Sequence, residues 1–165
     1  PLEISEGTFF LGNLIQSNSK RHLESLGIKS LVDFCVYPVD TEEEEEKGDK
    51  EKNGIIDLDE EKPPLFLEFK SKDFTYLNFP IDPRIDIFID FNSICQQIID
   101  LPTPTLLYCR HGVSISPVFM IGTLCKLKRT NLMDCSSIVF GRKGSVEPLK
   151  WLYTQLMVYD MKPAK

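Results

Sequence analysis

No apolar run in this 165-residue sequence approaches the roughly 18–20 residues that a bilayer-spanning helix needs, so no membrane span is expected. The opening Pro1-Leu2-Glu3 has neither the basic start nor the apolar stretch of a secretory signal, and the expected compartment is the cytoplasm, with the nucleus still open. Basic residues are in the minority, 19 against 25 acidic, for a net charge of −6. That balance speaks against a nucleic-acid partner, which calls for a basic face. Histidine occurs only twice, and His22 reads as a surface residue on the polar side of a short helix. The five cysteines (35, 95, 109, 125 and 135) are odd in number, with no CxxC pair. They fit neither a disulfide framework nor a metal site, so no metal and no cofactor are expected, and most read as reduced, buried thiols. There is no internal repeat.

The sequence does have the means to build a core: 42% of its residues are hydrophobic. Thr8-Phe9-Phe10-Leu11 reads as a short edge strand. Ser17-Asn18-Ser19 offers caps to a helix carrying Leu23 and Leu26 that stops at Gly27. Ile28 to Tyr37 reads as a buried strand ended by Pro38. Leu65–Phe69 and Phe74–Phe79 are strand-like, and Ile85 to Leu101 carries apolar residues at helical spacing. Thr105–Tyr108 suits the centre of a covered sheet. Helices follow over roughly 116–128, 132–140 and 146–157. Strands alternating with helices predict an α/β fold in three layers, with a central, mostly parallel sheet of about four to five strands flanked by helices.

One stretch breaks this pattern. Eleven acidic and four basic residues fall between 42 and 62, so this segment carries the whole negative balance and leaves the remainder near neutral. It cannot bury enough apolar area to offset its ordering entropy. The expectation is a single domain over 1–165 with a mobile acidic insertion at about 40–63. Glu42–Glu46 would be its means of engaging a basic protein surface.

The residues with chemistry lie after the central strand: Cys109, Arg110, His111, Gly112, Val113, Ser114, Ile115 and Ser116. A loop between a strand end and a helix N-terminus aims several N–H groups at one point, and the helix dipole adds positive potential. Such a place suits an anion or a thiolate nucleophile. Gly112 permits a tight turn, and Pro117 is tolerated in the helix's first turn.

The arrangement resembles the Cys-x-x-Gly-x-x-Arg-Ser phosphate-binding loop of dual-specificity phosphatases, within the protein tyrosine phosphatase superfamily. Cys109, Gly112 and Ser116 match it. Gly7–Asn13 resembles the family's opening strand, Leu26–Val32 its "LGI" segment with Asp33 near the usual asparagine, and Pro148, Leu152 and Leu156 its closing helix. The resemblance implies a phosphatase fold, with Cys109 at the nucleophile position and residues 110–116 as the phosphate loop.

Three departures qualify the activity that this resemblance implies. The family's arginine is Ile115 here, which has neither charge nor donor. The histidine that usually precedes the cysteine is Tyr108. The family's acid position aligns with Pro83, which leaves Asp82, one residue early, as a weak general-acid candidate and Asp86 as a more distant one.

The expectation is therefore a catalytically impaired or inactive member, a pseudophosphatase that binds a phosphoprotein or signalling partner. Two alternatives stand beside it. One is an active phosphatase in which Arg110, Arg142 or Lys143 replaces the missing arginine. The other is a sulfurtransferase, because Leu107–Gly112 also resembles the active-site start of rhodaneses.

Overall fold

The computed structural model describes residues 1–5, 8–37, 69–70, 72–82 and 90–160. The elements in chain order are β1 (Leu2–Ser5), β2 (Phe9–Asn13), α1 (Leu14–Ser17), α2 (Lys20–Ser25), β3 (Ser30–Asp33) and β4 (Thr75–Asn78). They continue with α3 (Phe91–Ile99), β5 (Thr105–Cys109), α4 (Ile115–Lys128), α5 (Leu132–Arg142) and α6 (Lys150–Asp160). The five strands form one sheet in the order β1-β2-β5-β3-β4. All neighbours are parallel except β1 and β2. This is the expected three-layer α/β fold.

The alternation of side chains along a strand sorts the core into two clusters, one on each face of the sheet. On β5, Leu107 and Cys109 point with Phe9, Leu11, Val32 and Phe34 toward α3–α6. Leu106 and Tyr108 point with Phe10, Leu31, Leu23 and Phe74 to the other face, near α2. Helix α4 lies at the middle of the first face and is buried continuously from Ile115 to Cys125. It is apolar all round because sheet and helices enclose it. Its Gly122 admits α3: a Cβ there would run into the Phe91 ring and come within 3.0 Å of the Cys95 sulfur. Phe91, Phe119 and Phe34 then stack in sequence, with ring centroids 4.8 and 4.5 Å apart.

Several expectations are corrected. The strand expected at the sheet edge is interior: β2 lies between β1 and β5. The four-residue Leu2–Ser5 pairs outside it, too short to stand out in the sequence. Phe69, expected to close a strand, is helical together with Lys70. The helix expected to begin at 146 begins at Lys150, after Pro148. At the first helix pair the capping is done by Asn13, whose side chain accepts the Gln16 N–H at 2.9 Å while Gln16 answers the Asn13 N–H. Ser19 caps α2 by position only. The acidic stretch at 40–63, the expected strand at 65–68 and residues 83–89, with Asp86, lie outside the described residues.

Candidate functional site

Cys109 is the last residue of β5, and Ile115 opens α4, so the loop 110–114 spans the carboxyl end of a central parallel strand and a helix N-terminus. In open α/β sheets this is where ligands bind. Three fastenings hold the loop. The Leu14 N–H reaches the Arg110 carbonyl at 3.4 Å, and the Glu147 N–H donates to the Val113 carbonyl at 2.7 Å. Gly112 has φ +70° and packs on the backbone of Gly12, where an added Cβ would sit 2.5 Å from the carbonyl oxygen. A left-handed conformation costs an ordinary residue about 1–2 kcal/mol before any clash is counted. Gly112→Ala is therefore expected to lower the melting temperature by several degrees, checked by a thermal melt.

The structure brings Cys109 and Ser116 together: Sγ and Oγ are 3.2 Å apart. Arg110 and His111 are exposed, Val113 and Ser114 half-buried, and Gly112 buried. The Ser114 side chain makes no capping bond to α4. Cys109 is only 2% exposed and Ile115 6%, and both belong to the apolar cluster under α4. The residue at the arginine position thus packs inward. Asp82 is half-buried, just beyond core residue Ile81 and four residues past β4, two strands away from β5. Of the three basic groups weighed as substitutes, Arg110 and Arg142 are exposed. Lys143 is half-buried, with its ammonium 3.0 Å from where a Gly112 Cβ would lie.

Sequence reasoning missed a polar cluster on the opposite face, directly behind the loop. Asp33, at the end of β3, is fully buried, and one carboxylate oxygen accepts three phenol hydroxyls: Tyr108 at 2.6 Å, Tyr37 at 2.7 Å and Tyr76 at 2.7 Å. Its other oxygen accepts the Cys35 N–H at 2.8 Å. Lys70, also fully buried, donates to the Tyr108 hydroxyl at 3.0 Å and to Ser17 of α1 at 2.8 Å. Its ammonium lies 4.6 Å from the centroid of the Tyr108 ring. The available signal was an aspartate inside an otherwise apolar strand, because a buried charge requires partners.

This cluster sets a pH dependence. Burial pushes the Lys70 ammonium down to about 8, although the nearby Asp33 charge acts in the other direction. Between pH 8 and 9 the unfolded chain keeps this proton while the folded chain releases it. This proton by itself therefore makes stability rise with pH, by about 1 kcal/mol over the interval. From about pH 8 upward the slope is opposed, and burial pushes the Cys95 thiol up to about 12. Burial, reinforced by Asp33, pushes the Cys35 thiol up to about 12 and also raises Tyr37, Tyr76 and Tyr108, so the folded chain retains protons that the unfolded chain loses. Between pH 8 and 9 the urea midpoint is expected to fall further for Lys70→Met than for the wild type, by the equivalent of about 1 kcal/mol, because only the wild type gains from the Lys70 proton.

No family model matches the sequence, and no curated protein matches it. Solved structures do. Human DUSP28 superposes with a TM-score of 0.67 at 14% identity, over 97% of this chain and 95% of that one. DUSP15 superposes with a TM-score of 0.69 at 16% identity, over 97% and 87%. The fold is dual-specificity-phosphatase-like. Human tyrosine phosphatase-like serine/threonine/tyrosine-interacting protein superposes with a TM-score of 0.60 at 17% identity, over 96% of this chain and 93% of that one. Among the described residues no helix is long and apolar enough to cross a membrane.

Proposed function

We propose that this chain is a catalytically impaired phosphatase-like protein, a pseudophosphatase, whose loop at 109–116 binds a phosphorylated residue of a protein partner. The observation that carries this reading is Ile115. It stands where the family's guanidinium would grip two phosphate oxygens, and it is buried in the apolar core beside a Cys109 that is closed to solvent. A thiolate without that cation has no fixed charge to stabilise the transferring phosphoryl group, a contribution of about 10³–10⁵ in rate in comparable phosphoryl transfers. Asp82, one residue short of the acid position, leaves protonation of the leaving group without a well-placed donor.

What remains suits binding. Gly112 shapes the loop, Ser116 touches Cys109, and Arg110 and His111 sit exposed at its rim. One structurally similar protein is itself described as phosphatase-like and interacting. The likeness to phosphatase domains also favours this scaffold over a sulfurtransferase. Turnover of an aryl phosphate tests the reading. Wild-type protein is expected to give no hydrolysis above that of Cys109→Ser. Cysteine-dependent turnover within about tenfold of an active homologue would overturn it, because that gap is far smaller than an arginine's contribution.

A further inference from the structure

The loop has a cation at its flank that comes from neither β5 nor α4. Lys143 follows α5, its backbone N–H held by the Val139 carbonyl at 2.9 Å, and the chain then meets the loop again at Glu147. This places the Lys143 ammonium on the backbone at Gly112, 3.0 Å from the position a Cβ would take. The side chain is half-buried, and among the described residues the ion pairs with carboxylates are those of Lys20. Burial lowers the pKa of Lys143, and the charge of Cys109 acts in the opposite direction, so amine and thiol lie within electrostatic reach of each other. A partly desolvated ammonium without a carboxylate is stabilised by an anion from outside.

We propose that Lys143 supplies the positive charge of the loop in place of the guanidinium missing at Ile115, and that the site holds a phosphate dianion, free or esterified, without turning it over. This rests on reading residues 109–116 as a phosphate site. Lysine suits the binding half of an arginine's work and not the catalytic half. Its ammonium is a compact point charge with rotatable donors, whereas guanidinium offers a planar fork that fits two oxygens at once. A flexible point charge stabilises bound phosphate and the transition state alike, which confers affinity without rate. Arg110 and Arg142, both exposed, do not share this placement.

The test is a titration of wild type, Lys143→Met and Lys143→Arg with inorganic phosphate, and separately with phenyl phosphate, following the amide resonances of residues 110–116. Amides elsewhere report that each variant is folded. In wild type the loop amides are expected to shift to saturation. Lys143→Met is expected to weaken binding about tenfold or more, the scale of one hydrogen bond to a charged group, and Lys143→Arg to stay within about threefold. Lysine-dependent binding of phenyl phosphate alone supports an esterified ligand, and of inorganic phosphate alone a free one. Equal affinities in wild type and Lys143→Met would overturn the role of Lys143 while leaving the loop as a phosphate site. No shift in wild type with either probe would overturn the phosphate reading itself.

Discussion

Ile115→Arg is expected to raise hydrolysis of an aryl phosphate over wild type by a factor of at least about 10³, the lower end of what a catalytic arginine contributes to phosphoryl transfer. Cys109→Ser in the same background is expected to abolish the gain, since the reaction needs the thiolate. An aryl leaving group departs with little help. An alkyl phosphate such as phosphoserine needs the acid, and its gain is expected to be smaller by about 10²–10⁴. The two substrates therefore separate the missing cation from the missing acid. The substitution also removes a buried side chain from the core under α4. That loses about 1.5–3 kcal/mol of burial and lowers the melting temperature accordingly. A folded Ile115→Arg protein with no cysteine-dependent turnover of the aryl ester would place the defect at the closed Cys109 rather than at the cation.

Asp33→Ala is expected to be among the most destabilising single changes in the described part of the chain. It takes from three phenol hydroxyls the acceptor they share and from the buried Lys70 ammonium a nearby negative charge. Removing one partner of a buried charge pair costs about 3–5 kcal/mol, and at this size that is a fall of roughly 10 °C or more in melting temperature. Adding Lys70→Met to Asp33→Ala is expected to recover part of the loss, because the second change removes the stranded cation. A double-mutant cycle by urea denaturation measures that coupling directly. If Asp33→Ala lowers stability by less than about 1 kcal/mol, the cluster is not held by its charges.

The legible parts of this molecule were those with a local signature. The short apolar run of β5, the glycine and serine after Cys109 and the proline in the first turn of α4 each carry their geometry within a few positions. They located the central strand and the loop. The absence of arginine at 115 was equally plain. Strand β1 was not legible, because four residues with two apolar side chains have no pattern apart from the strand they join. The edge position was then assigned to the wrong strand. Phe69 was misread for a related reason: its apolar neighbours suggested a strand, while Lys70 beside it turns inward to Ser17 and Tyr108. That cluster gathers residues from 17, 33, 37, 70, 76 and 108, and no spacing rule connects them. Lys143 was one basic residue among several until the return of the chain at Glu147 put it on the loop.

The two departures that flank Cys109 differ in how easily they can be undone. Ile115 stands at a helix start, and an arginine there costs the burial of one apolar side chain but disturbs no hydrogen bond of the cluster behind the loop. Tyr108 points the other way through the sheet and bridges Asp33 and Lys70, its hydroxyl bonded to both. A histidine at 108 is shorter than a phenol and would take from Asp33 and Lys70 the hydroxyl they share, so the residue that resembles an active enzyme would be the one that harms this fold. The cluster behind the loop ties the identity of residue 108 to folding rather than to the reaction.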